Sequence, residues 1–266
     1  MTAFDSDTAV QRIDALRFTG RIDPKWWVFR GPNGGYVAAI LQRAMAEAVD
    51  DSGRPARSLT VHFLVPPETG EVDIDVAIER GGRSLTNTSA RLTQHGRLVA
   101  TAVGAFSVGR NGPEYSELEM PAVPPAHEVP ARPVEGAPPH TELFDFRPAI
   151  GPPIFSAGGQ AVTGGWFRLR EPQAADPVVV TAYADGWFPA VFSRTREPIG
   201  VPTVDFTVHF RTALPLAGAP IEDHYLVVFR APVSHDGFLV EDGEIWSSDG
   251  RLVAQSRQLA LVLAPR

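Results

Sequence analysis

The sequence contains no cysteine among its 266 residues. Disulfides, thiolate metal sites and a cysteine nucleophile are therefore excluded, and a reducing, cytoplasmic compartment is the expectation. Long apolar runs are missing too. The N-terminus carries Asp5, Asp7, Arg12 and Asp14 without an apolar stretch, which is unlike a signal peptide. The most apolar helical stretch, Tyr36 to Val49, is interrupted by Gln42, Arg43 and Glu47 and is too short to cross a bilayer, so no membrane insertion is expected. Positive charge is in deficit, with a formal net charge of -7, which argues against nucleic acid as a partner. No G-x-S-x-G nucleophile elbow occurs. No H-E-x-x-H and no His/carboxylate cluster at ligand spacing occurs, so no metal is expected. No G-x-G-x-x-G follows a strand, so no nicotinamide or flavin, and no other cofactor, is expected.

What is present is a core-forming composition, 44% hydrophobic, in a chain long enough for two domains. The chain also repeats itself. TVHF occurs at Thr60–Phe63 and at Thr207–Phe210; GRLVA occurs at Gly96–Ala100 and at Gly250–Ala254, so the offsets are 147 and 154 positions. Two matches in one order at nearly one offset indicate a duplicated domain. Between the copies, residues 109–153 hold 11 of the 25 prolines. Proline removes backbone donors and disfavours helix before it, so this stretch reads as an extended surface linker. The division expected is 1–108, a linker at 109–155, and 156–266.

Each half has the same grammar. Asn33-Gly34-Gly35 precedes a helix through about Val49, apolar nearly all round and so expected to be wrapped by other elements. Strands follow: Leu59, Val61, Phe63 and Val65 alternate, as do Val72, Ile74, Val76 and Ile78, with turns at Gly81-Gly82 and His95-Gly96. In the second half a short helix is expected from Asp185 to about Ser193, with Pro189 in its first turn or so. Strands are expected at Val204–Phe210, Tyr225–Val233, Phe238–Trp246 and Leu252–Leu263. The fold class is α+β: a tandem double hotdog, two antiparallel sheets each wrapped around a mostly buried helix.

Asn33-Gly34-Gly35-Tyr36, SLTVHFLVP, YADGWFPA, VPTVDFTVHFR and DGRLVAQSRQ together resemble the TesB-type acyl-CoA thioesterase II family over nearly the whole chain. The resemblance implies a thioester hydrolase of lipid metabolism that acts on acyl-CoA, a homodimer or higher homo-oligomer, and a catalytic Asp, Thr and Gln that position a water. Those three match Asp185, Thr203 and Gln258. By the repeat offsets Thr203 pairs with Ala56 and Gln258 with Gly104, and Asp185 pairs roughly with Asn33, between the two offsets, so only one copy carries the set and one active site per chain is expected.

The chemistry suits the residues. A carboxylate can take a proton from water, and a hydroxyl and an amide can hold that water. Gly35, at the start of the first helix, is the candidate oxyanion donor. Trp187, His209 and His62 complete the candidate substrate-binding set. His62 and His209 recur in both halves, which favours a structural role for them. On residues alone, capping a helix is the commoner use of an Asp such as Asp185, and core packing explains Trp26, Trp27, Trp187 and Phe188 nearly as well as an acyl tunnel does. Two alternatives stand beside hydrolysis: a hotdog enoyl-CoA hydratase or dehydratase, disfavoured because no His follows Asp185 in Gly186–Ala190, and a non-catalytic acyl-CoA or lipid-binding module.

Overall fold

The first half of the chain folds as its alternation dictates. In the computed structural model, which describes residues 1–132 and 136–263, helix α1 (Ala3–Asp7) is followed by strands β1 (Gln11–Arg12) and β2 (Arg17–Ile22), helix α2 (Gly34–Val49), and strands β3 (Ala56–Phe63), β4 (Gly70–Gly81), β5 (Leu85–Gln94) and β6 (Arg97–Ser107). α2 is buried on nearly every side from Gly35 to Met45, as an all-round apolar helix must be. The β5–β6 turn has His95 and Gly96 both at positive φ, 51° and 73°, the backbone that a two-residue hairpin requires.

The second half supplies strands β7 (Phe144–Ile150) and β8 (Val162–Leu169), helix α3 (Pro177–Tyr183), and strands β9 (Thr203–Phe210), β10 (Tyr225–His235), β11 (Phe238–Trp246) and β12 (Leu252–Leu261). The order across the sheet is β1-β2-β4-β5-β6-β3-β9-β12-β11-β10-β8-β7. The two expected sheets are thus one twelve-stranded sheet, six strands from each half, joined where β3 runs antiparallel to β9. At that seam Thr60 lies directly opposite Thr207, with their hydroxyl oxygens 2.9 Å apart. These residues are repeat equivalents, so the local two-fold axis relating the halves passes between them.

Two expectations are corrected. The second-half helix does not begin at Asp185. It spans Pro177–Tyr183, and residues Ala190–Ser193 form only a 3-10 turn. Asp176 accepts the Val179 N–H and Pro177 occupies the first turn, a strong start signal. Pro189, without an N–H, then prevents a regular helix from running through the Asp185 segment. Second, the proline-rich stretch is not linker throughout, because it contains β7, the sheet's last strand. Its preceding residues are strapped to the sheet: Trp166 Nε1 donates to the Pro124 carbonyl at 2.7 Å, and Arg147 Nη1 to those of Ala126 and Val129 at 2.9 and 3.1 Å. Among the described residues no helix is long and apolar enough to cross a membrane.

Candidate active site

The start of α2 and the turn after α3 meet at Asp185. Asn33 caps α2, its Oδ1 accepting the Tyr36 N–H at 3.0 Å. Its Nδ2 donates across the seam to the Asp185 carbonyl at 2.8 Å and to Asp185 Oδ2 at 3.3 Å. Asp185 Oδ2 also accepts the Gly35 N–H at 2.7 Å. Both glycines make room for this approach. A Cβ on Gly34 would lie 2.9 Å from Asp185 Oδ2, and one on Gly35 3.0 Å from Asp185 Cβ. What comes close to the Gly34-Gly35 backbone is therefore Asp185 itself. The Gly35 N–H, expected to await an oxyanion, is already donated to it. The neighbouring Gly34 is half-buried, and its N–H has no partner among the described residues.

Thr203 and Gln258 come from adjacent strands. Gln258 lies opposite Phe206 on the inward face, so strict alternation would send Thr203 outward with Asp205. A bulge between Leu259 and Ala260 places Thr203 opposite Ala260 instead, and bulges re-aim side chains in this way. Thr203 Oγ1 then donates to Gln258 Oε1 at 2.9 Å. The first half has the same bulge, with Ala56 opposite Phe106 and the shift before Ser58. The bulge belongs to the fold of both copies, whereas the hydroxyl belongs to one.

Gln258 leads to a residue that the sequence reading missed. Its Nε2 donates to Glu241 Oε1 at 2.9 Å, and the Ala190 N–H donates to Glu241 Oε2 at 2.5 Å. Glu241 is buried. The signal was available: along β11, Leu239, Glu241, Gly243 and Ile245 share the inward face, and an inward carboxylate in a strand is rare unless paired. Its counterpart is Thr88, which pairs with Gly104 as Glu241 pairs with Gln258. In the first half the space a Gln side chain would need is taken, since a Cβ on Gly104 would lie 2.8 Å from Met45 Cε.

Burial dominates the electrostatics. It pushes the Asp185 carboxyl up to about 6, against the Gly35 N–H and the Gln258 and Asn33 amides, which favour its charged form. Glu241 is pushed up to about 7, again chiefly by burial, with the negative charges of Asp185 and Asp242 adding to it and the Ala190 N–H and Gln258 amide opposing. Asp185 is enclosed by protein yet keeps a solvent-reachable edge, unlike Glu241.

The remaining candidates lie elsewhere. His62 and His209 are exposed and sit on the opposite face of the sheet from Gln258, across from Asp205 and Ser58; the structure does not bring them to Asp185. Trp187 is buried, donates from Nε1 to Thr163 Oγ1 at 3.0 Å and packs on Phe146 and Phe167, which makes it core. Trp26 is likewise core, stacked on Tyr36 at 4.7 Å. A groove of about 320 Å³ beside Phe4, Trp26 and Leu143 touches none of the four polar site residues.

Comparison with known proteins identifies the family and the fold. Residues 23–107 match the family model of the acyl-CoA thioesterase N-terminal domain, and residues 120–262 that of the acyl-CoA thioesterase C-terminal domain. A conserved protein of unknown function with a hotdog fold from Alicyclobacillus acidocaldarius is 29% identical, with a TM-score of 0.92 and full coverage of both chains. An acyl-CoA thioesterase II from Mycobacterium marinum shares the fold at 22% identity, with a TM-score of 0.78 over 99% of each chain. An uncharacterized protein of Mycobacterium tuberculosis is 28% identical over 93% of this chain and 91% of its own. With both halves matched in order, and the hotdog sheet and buried helix in place, the chain belongs to the acyl-CoA thioesterase family.

Proposed function

We propose that this thioester hydrolase cleaves fatty acyl-CoA to free fatty acid and CoA with a water held by Asp185, Thr203 and Gln258, at one site per chain. The observation that carries the reading is the convergence of these three side chains, from a turn and two strands, beside the start of α2, while the first half, with Ala56 and Gly104 at the places of Thr203 and Gln258, offers no such set. Water gives a proton to Asp185 as its oxygen attacks the thioester carbonyl carbon. Thr203 and Gln258 fix the direction of attack. The carbonyl π electrons move to oxygen, and that oxyanion takes the Gly34 N–H, which we assign in place of Gly35. The oxyanion collapses, the C–S bond breaks, and CoA leaves as a thiolate. A free thiol titrates near 8.5, so departure needs no strong acid.

A cytoplasmic role in lipid metabolism, a homo-oligomeric assembly, and independence from metal, cofactor and nucleic acid belong to the same reading. The outer strands β1 and β7 leave open sheet edges through which copies could pair. The test is thiol release from a panel running from acetyl-CoA to stearoyl-CoA, against an Asp185→Asn variant. Turnover lost in the variant supports the site. Turnover retained in the variant rejects the assignment of Asp185. No turnover by the wild type, with acyl-CoA bound equally by both proteins, favours the binding module.

A further inference from the structure

We propose that Glu241 is a positioning residue of the hydrolytic site, whose carboxylate fixes the amide of Gln258 with Nε2 toward the two acids and Oε1 toward Thr203. The role rests on hydrolysis at Asp185. An amide can be turned end for end with little change in shape, so a catalytic Gln needs something that distinguishes its two ends. Thr203 cannot do this, since a hydroxyl both donates and accepts. An ionised Glu241 can, because it only accepts. Glu241 Oε1 faces Gln258 Nε2 at 2.9 Å and its Oε2 faces the Ala190 N–H at 2.5 Å, so both carboxylate oxygens meet donors. Turning the amide would set Gln258 Oε1 against a carboxylate oxygen, in a buried place where such a contact is severe.

The consequence reaches the water. With Nε2 inward, Gln258 offers Glu241 one N–H and keeps the other for the Asp185 side of the site. The Thr203 proton is committed to Gln258 Oε1, which leaves the Thr203 oxygen as an acceptor. A water there can accept from Gln258 and donate to Asp185 and to Thr203, with its lone pair free to attack. The Ala190 contact anchors Glu241 to the 3-10 turn that follows the Asp185 segment, so β11, β12 and that turn are held as one unit. In the silent half the equivalent of Glu241 is Thr88, and there is no glutamine for it to orient.

Glu241 must then be ionised, as Asp185 must, for the water to be placed. The charged groups acting on Glu241 are Asp185, from the turn after α3, and Asp242, beside it on β11. The expected acid limb of kcat/KM in the wild type carries two ionisations, shared by the Asp185–Glu241 pair. In Glu241→Gln the single side-chain oxygen can take the Ala190 N–H only with its NH2 toward Gln258, which favours the turned Gln258 amide. The variant should lower kcat by about tenfold or more with KM little changed, and its acid limb should carry a single ionisation. Glu241→Asp should recover the second ionisation.

These measurements separate the possibilities. A wild type inactive on every acyl-CoA overturns the hydrolase reading, and this role with it. An active wild type whose limb carries one ionisation, or a folded Glu241→Gln with unchanged kcat and limb, overturns the role of Glu241 alone. The wild-type profile decides the matter even if the glutamine variant fails to fold.

Discussion

Asn33, from the first half, and Asp185, from the second, are hydrogen-bonded to each other: Asn33 Nδ2 reaches the Asp185 carbonyl at 2.8 Å and its Oδ2 at 3.3 Å. Two aspartates here would repel, and two asparagines would leave no base. The pair works because one copy keeps the amide and the other the acid.

Asp185→Asn separates chemistry from stability. Turnover should fall by about 10²-fold or more, as expected when a general base is removed. Stability should move the other way. The Asp185 carboxyl lies above its ordinary 3.8, at about 6, so the fold favours the protonated acid. Its contribution is complete below about pH 4 and is lost as pH rises through about 6. At pH 8 the variant, with no buried charge, should be more stable by on the order of 2 kcal/mol; at pH 4 the two should coincide. Denaturation at both values checks this, and a variant less stable at pH 8 contradicts it.

Asn33→Asp tests the cross-half contact. The new carboxylate still caps α2, so the fold should hold. The Asp185 ionisation should rise further, and the acid limb of kcat/KM should move to higher pH. An unmoved limb would mean that the two side chains do not interact in solution.

Gly34→Ala places a methyl 2.9 Å from Asp185 Oδ2 and 3.3 Å from the Phe63 ring. The helix gains propensity, worth up to about 1 kcal/mol, so thermal stability should change little. kcat should nevertheless drop, because the carboxylate is displaced; misplacement of about 1 Å can cost about 10²-fold. Steady-state kinetics beside a melting curve separates the two effects.

The silent half gives a matched control. Thr203→Val leaves Gln258 Oε1 without its donor and should reduce kcat. The reciprocal change, Ala56→Thr, puts a hydroxyl at the equivalent bulge and should leave turnover as it was. If Ala56→Thr alters kcat as strongly as Thr203→Val, the expectation of one site per chain is wrong.

The sequence showed most of the fold because its signals were local. α2 has an Asn cap and an apolar surface, and the His95-Gly96 turn demands positive φ. α3 escaped notice because Val178, Val179, Val180 and Thr181 form a β-branched run that reads as strand, yet Asp176-Pro177 starts a helix and burial holds it there. β8 escaped because Gly164 and Gly165 break its pattern. They are required by proximity: a Cβ on either would lie within 2.1 or 2.2 Å of the carbonyl oxygen of Val227 or Arg147 on the strands to each side. At the site, Asp185, Thr203 and Gln258 came from motif resemblance. The bulge that turns Thr203 inward cannot be read by counting alternation, and Glu241 was overlooked although counting alone places it inward.

The seam at Thr60 and Thr207 bears on how such an enzyme can arise. Two identical hotdog subunits meeting there would be copies of one gene, so every substitution would appear twice, once at each end of the axis. A change that removed the acid of the site from one would then remove it from both. Once the halves are joined in a single reading frame, each can drift alone. One can fill its vacated site with Met45 while the other retains its polar cluster. With both halves in one chain, joined by the proline-rich connection, the acid needs to be kept in only one of them.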